Sequence, residues 1–209
     1  MALVYTNSLL KKPPPIHGNR IWKISTGPRI EPVSVEELKL FAGIDTDDID
    51  SLLREFIKSV RFAAEEYMGR ALIQQTIRLL MDFWPSMIIE LPRPPLLSVI
   101  KIATLDENDT ETEYDSDNYY VITGSTPGKV ILKQSVTAPY NSMRDYAGYL
   151  IEYKAGYGTD AKDVPAPIRE AIELWAAAVY ETRILDSKKP PPSVREKLDL
   201  FRTVEVMIR

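Results

Sequence analysis

The chain has 209 residues, with 26 Lys and Arg against 30 Asp and Glu for a formal net charge of -4, one histidine, 16 prolines and no cysteine. Without cysteine, and with His17 alone, it cannot build a Cys/His zinc site, a thiol nucleophile, a disulfide framework or a two-histidine metal site. The pI near 5.2 argues against a protein that wraps nucleic acid through a domain-wide basic excess, and the longest apolar runs, such as Ala176–Val179, fall far short of the roughly 20 residues that span a bilayer.

A mass of 23.8 kDa allows one sizeable core, or one core with a small satellite. The beginning of the chain lacks a continuous signal-peptide core, so a soluble, non-secreted protein is expected. Residues 1–33 carry Lys11-Lys12-Pro13-Pro14-Pro15 and Gly27-Pro28, with short apolar patches at Ala2–Tyr5 and Ile21–Ile24 but no sustained period. That pattern predicts an extended N-terminal arm, either a disordered leader or a strand that pairs with a neighbouring subunit on assembly.

Ser34-Val35-Glu36-Glu37 matches the capping box and predicts a helix over 35–42, ended by Gly43. Asp45, Asp47 and Asp48 then put negative charge at the positive end of a second helix over 47–68. Its Ile49, Leu52, Leu53, Phe56, Ile57, Val60, Ala63, Ala64 and Tyr67 follow the 3.6-residue period. The acidic cluster lacks the Gly and Glu spacing of a calcium loop, which leaves helix capping. Over 71–157 the period drops to two, and turn residues separate candidate strands at 73–84, 87–91, 97–105, 118–123, 129–133 and 148–155. Helix returns over 166–184, with Pro165 and Pro167 at its start, where a missing N–H costs nothing, and Ile168, Ala171, Ile172, Trp175 and Val179 as its apolar stripe. Lys188-Lys189-Pro190-Pro191-Pro192 breaks the chain before a tail that carries Val194, Leu198 and Phe201 on one face.

The expected class is α+β: a helical bundle core built on helices 47–68 and 166–184, an inserted antiparallel β region at 71–157, and flexible arms at both ends. The domains divide as an arm at 1–33, a central domain at 34–187, and a Pro-rich hinge with an amphipathic tail at 188–209.

Catalytic patterns are scarce. There is no G-x-S-x-G, Walker-type P-loop, G-x-G-x-x-G or H-E-x-x-H. Glu65-Glu66, Asp106-Glu107 and the Asp115/Asp117 pair are the only candidates for two-carboxylate chemistry. Carboxylates at helix ends and turns are ordinarily solvated, so no enzyme is expected, and no metal or other cofactor. Tyr119, Tyr120, Tyr146, Tyr149, Tyr153 and Tyr157 could form a stacking platform for bases or sugars, but strand aromatics buried against cross-strand neighbours explain them more cheaply.

Four segments carry a family resemblance. Leu91-Pro92-Arg93-Pro94-Pro95-Leu96-Leu97-Ser98-Val99, Tyr153-Lys154-Ala155-Gly156-Tyr157-Gly158, Val164-Pro165-Ala166-Pro167-Ile168-Arg169-Glu170-Ala171-Ile172 and Tyr180-Glu181-Thr182-Arg183 resemble, in order and spacing, the head-tail connector (adaptor, head-completion) proteins of long-tailed bacteriophages. The resemblance covers about residues 32–184. It implies a non-enzymatic virion protein of the neck, forming a homo-oligomeric ring of about twelve subunits between the portal and the head-closure or tail proteins. DNA would pass through the lumen without sequence-specific binding, no membrane would be involved, and assembly would take place in the host cytoplasm. The acidic charge is compatible with a channel that does not hold phosphates.

Two interfaces are expected within that reading. Val194, Leu198 and Phe201 of the tail would dock into a groove of the portal. The turns near Glu107–Thr110, with Asp106, Glu107 and Asp109, and near 135–144 would meet neighbouring subunits or the next neck protein. Competing readings are a head-closure or tail-terminator protein, which would be mostly β, and a carbohydrate-binding domain using Tyr119 and Tyr120.

Overall fold

The computed structural model describes residues 20–84, 87–134, 136–139, 143–184, 186 and 189–203. The patch at Ala2–Tyr5, the Lys11–Pro15 run, His17, part of the 135–144 turn and the last residues of the tail lie outside them.

Helix α1, Val35–Ala42, begins as its capping box demands: the Ser34 hydroxyl accepts from the Glu37 N–H at 3.1 Å, and the Glu37 carboxylate accepts from the Ser34 N–H at 2.8 Å. Helix α2 is Asp50–Met68. It starts three residues later than expected, because Asp47 and Asp50 are drawn to the Lys39 ammonium at the end of α1, Asp50 at 3.0 Å, and Ile49 takes the cap position instead. Helix α3, Ala166–Thr182, follows the Pro165 cap and stops where Arg183 turns left-handed at φ 60°. A short helix α4, Pro192–Asp199, follows the proline run.

The apolar faces of all four helices meet in one cluster, with Leu38, Leu53, Ile57, Val60, Ile168, Ile172 and Trp175 at its centre. The helices do not form the whole core, as a bundle alone would. A five-stranded antiparallel sheet runs β1 (Arg20–Thr26), β2 (Gln75–Met81), β8 (Tyr149–Ala155), β4 (Leu96–Leu105), β5 (Glu111–Tyr114). A smaller sheet runs β3 (Ile88–Glu90), β7 (Lys129–Leu132), β6 (Tyr119–Ile122). Ile77, Leu79, Met81, Ile151 and Tyr153 of the first share a second apolar cluster with Ile89 and Val130 of the second.

Two strands depart from the expected list. Residues 20–26 do not belong to a free arm: they pair with β2 from Arg20 opposite Met81 to Thr26 opposite Thr76, as an outer strand of the large sheet. The strand β5 at the other edge was not expected at all, since Glu-Thr-Glu-Tyr offers no apolar alternation to read.

Gly156 lies where the chain leaves β8 for the helical half. Its φ is 132°, and a Cβ there would stand 2.7 Å from both the Gln74 nitrogen and the Ile73 carbonyl carbon. Gly156→Ala is therefore expected to cost at least about 1–3 kcal/mol in urea unfolding. The control Gly27→Ala, with nothing within 4 Å of its Cβ, should stay within about 0.5 kcal/mol.

Candidate assembly surfaces

Two of the four resemblance segments converge on the seam between helices and sheets, and a third ties α3 to the start of α1. Glu65, near the end of α2, is buried. Its Oε2 accepts from Arg61 Nη1 at 2.6 Å, and its Oε1 accepts from the Leu72 N–H at 2.8 Å and from Gln75 Nε2 at 3.2 Å. Arg61 Nε also donates to Glu31 at 2.6 Å, which ties the segment before α1 to the same node. Burial pushes the Glu65 carboxyl up, against the pull of Arg61, the Leu72 N–H and Arg93.

Arg93 completes the node from the β3–β4 connection. Its backbone is left-handed at φ 58°, which turns the guanidinium inward. Nη1 donates to the Glu65 carbonyl at 2.8 Å, Nη2 meets the Glu66 carboxylate, and the charged plane lies 4.4 Å from the centre of the Trp22 ring in β1. The flanking prolines act through their carbonyls: Pro92 accepts from the Tyr153 hydroxyl at 2.8 Å, Pro94 from the Ala71 N–H at 3.1 Å, and Pro95 from the Gly156 N–H at 2.9 Å. Burial raises the Tyr153 phenol far above its ordinary range.

The Gly156-Tyr157-Gly158 turn stitches the same seam: the Tyr157 N–H donates to the Leu72 carbonyl at 2.8 Å, and the Gly158 carbonyl accepts from the Gln74 N–H at 2.8 Å. A Cβ on Gly158 would collide with the Asp163 carboxylate at 2.0 Å. Past Pro165 and Pro167, Arg169 reaches from α3 to the Pro32 carbonyl at 2.9 Å and to the Glu37 carboxylate, so it locks α3 onto the start of α1. In these three segments, residues that carry the resemblance are thus spent on holding the fold together.

The tail corrects one expectation. Its apolar stripe is not held off the subunit for a partner: Val194 and Leu198 are fully buried in the helical cluster and Phe201 packs against it. The proline run turns α4 back onto α3 instead of projecting it. Tyr67 donates to Asp199 at 2.7 Å, Lys197 pairs with Glu170 at 2.9 Å, and the Thr203 N–H donates to the Met68 carbonyl at 2.8 Å.

The turn between β4 and β5 does face solvent. Asp106 folds it by accepting from the Asn108 and Thr110 N–H groups, both at 2.8 Å, and the Thr110 N–H chiefly holds its carboxyl below the ordinary range. Asp109, left-handed at φ 63°, pairs with Arg144, while Glu107 is exposed at the tip. Tyr119 stacks on Tyr114 with centroids 6.4 Å apart, and Tyr120 carries Lys133 5.1 Å over its ring; the two tyrosines do not form a joint platform. Among the described residues no group of three acidic or histidine side chains could hold a metal ion, and no helix is long and apolar enough to cross a membrane.

Sequence reasoning passed over a charged row on the outer face of the large sheet. Lys23, Arg78, Glu152 and Lys101 stand in cross-strand register on β1, β2, β8 and β4, and Glu111 of β5 pairs with both Arg78 and Lys101. Charges alternating with apolar residues in 76–80 and 150–154 were the available signal.

A family model described as head completion protein matches residues 31–204. Among solved structures, a chain in the neck of an empty GTA particle computed with C6 symmetry superposes with a TM-score of 0.76 at 21% identity, covering 90% of this chain and 98% of that one. A chain in the virion of a native gene transfer agent (GTA) particle gives 0.74 at 22% identity. One in the neck of the native GTA particle computed with C12 symmetry gives 0.70 at 22%, and both share the same coverage of 90% and 98%. These likenesses concern the fold. No curated protein matches.

Two expectations test the seam. Glu65→Ala leaves the Leu72 N–H and the Gln75 amide without their acceptor and Arg61 half-paired, so unfolding in urea should show a loss on the order of 3 kcal/mol. The Ser34 N–H, then Arg169, hold the Glu37 carboxyl below the ordinary glutamate range. A group so lowered stabilises fully above its unfolded value and loses that contribution as pH falls through its folded value. Glu37→Gln should accordingly flatten the acid limb of a plot of thermal midpoint against pH.

Proposed function

The chain belongs to the head completion protein family, the connectors between head and tail in phages and phage-like particles, and from that premise we propose that it is an adaptor subunit of the virion neck. In this reading about twelve copies close into a ring that sits against the portal on one side and the head-closure or tail proteins on the other, and DNA passes through the lumen without sequence-specific contacts. Its part is structural, not catalytic. The observation that carries the reading is the family match over 31–204, supported by the common fold with chains from GTA necks solved with C6 and C12 symmetry.

The geometry supports a subunit stable before assembly. Both apolar clusters are closed within one chain, the tail included, so neighbours need not complete a core. Subunit contacts then fall to surface features, among them the turn with Asp106, Glu107 and Asp109. Contact of the tail with the portal would use the outward side chains of α4, such as the exposed Arg195 and Glu196, since Val194 and Leu198 are buried within the subunit.

The reading is tested by negative-stain electron microscopy of the purified protein mixed with portal particles of the same virus, beside each alone. An added ring on one face of the portal is expected. Undecorated portals at micromolar protein would overturn it.

A further inference from the structure

Among the described residues, the large sheet ends in two edges of opposite charge. At one edge lies β1, within the stretch 20–30 that contains Arg20, Lys23 and Arg29 and no acid. At the other lies β5, within the stretch 106–117 that contains seven carboxylates and no basic residue. The outer-face row repeats this polarity inside the subunit. Arg78, Glu152, Lys101 and Glu111 alternate in sign across four strands, and then the row closes at the β1 edge with Lys23 directly opposite Arg78. Like charges in facing positions destabilise a strand pair, and no carboxylate lies across from Lys23 within the sheet to offset this.

We propose that the acidic β5 edge of one subunit docks along the basic β1 edge of the next, setting Glu113 and its neighbours against Lys23 and continuing the row of alternating charge from one copy to another. The proposal rests on the ring reading above and names the surface that closes it. Because the partners are two different edges of the same molecule, the contact is heterologous, the type that closes into a ring when its rotation closes. Both strands are short and solvent-facing, with Ile21 52% and Ile24 39% exposed on β1, and an edge strand offers its backbone donors and acceptors to a second chain. Four antiparallel steps separate β1 from β5, so they run in the same direction and would meet in parallel. The charges add little affinity on a solvated surface; their work is selection. Two β1 edges or two β5 edges repel, which disfavours the two-fold dimer and leaves head-to-tail contact.

The test uses two full-length variants whose substituted side chains make none of the hydrogen bonds or ion pairs described above: Lys23→Glu with Arg29→Glu, and Glu113→Lys with Asp117→Lys. Each alone should keep native circular dichroism and show at least a tenfold loss of ring in mass photometry, under conditions where the wild type assembles alone or on portal particles. Mixed one to one, the two variants again set opposite charges at the paired positions 23 and 113 of every contact and should recover rings. A single variant that assembles like the wild type, or folded variants whose mixture stays unassembled, overturns the edge pairing and leaves the ring reading intact. A wild type that never leaves the monomer overturns the ring reading itself. Should either variant fail to fold, Lys23→Cys with Glu113→Cys in one chain, otherwise free of cysteine, gives a second measurement. Oxidised rings should run as a ladder of covalent multimers, and rings that yield monomer alone would overturn the pairing.

Discussion

A single buried carboxylate holds the two halves of this protein in place. Glu65 sits near the end of a nineteen-residue helix where the chain must turn from helical layer to sheet, and it is the common acceptor for Arg61 of its own helix, the Leu72 N–H of the connection to β2 and the Gln75 side chain. Burial alone would make such an ion costly; satisfied lone pairs and neighbouring guanidiniums make it a fixed point. Arg93 extends the same node to the β3–β4 connection and, through Trp22, to β1. Two apolar clusters on either side of a seam could slide or tilt, since dispersion is not directional. Charged hydrogen bonds of set length give the seam one geometry.

This arrangement separates conservation of fold from the surfaces that assemble. The Pro-Arg-Pro-Pro, Gly-Tyr-Gly and Pro-x-Pro-Ile-Arg segments serve the seam and the α1–α3 contact. The tail, with its apolar stripe, is absorbed into the helical cluster. Among the described residues, the outer face of the large sheet, its two edges, the solvent-facing turns, the outward side of α4 and exposed apolar side chains such as Leu40, Phe62 and Leu200 remain for neighbours. With that division, surface side chains can differ in charge without disturbing the core.

Much of this was legible in the sequence, and the limits have physical causes. The capping box at Ser34 and Glu37 is a local motif whose two hydrogen bonds need only neighbouring residues, and it appears in the structure as written. The long helix and the α3 stripe are fixed by a 3.6-residue period that their buried residues follow. Six strands were visible through alternation and turns. The strand β5 was not, because its four residues gain their place from pairing with Ile102–Leu105 and not from any apolar face of their own. The strand β1 reads as an arm for a similar reason: it is nearly all exposed, and only Trp22 and Arg93 reveal what it meets. The tail shows a further limit. Periodicity gives which face of a helix is apolar, but not which surface covers it, and here the cover was the chain itself. The seam node was invisible, since Glu65, Leu72 and Arg93 meet only after the sheet has formed.

The hydrogen bond from the Thr203 N–H to the Met68 carbonyl has a meaning for the timing of synthesis. It joins the end of α2 to Thr203, the last residue described, and the sheet likewise waits for β8 to enter between β2 and β4. At about 5–20 residues per second, the nascent chain spends seconds on the ribosome with the inner faces of α2 and β2 still uncovered. The helical cluster, which includes Val194 and Leu198, stays open until α4 has been made. The helical half is therefore the last to be completed, although α1 and α2 are made before every strand but β1.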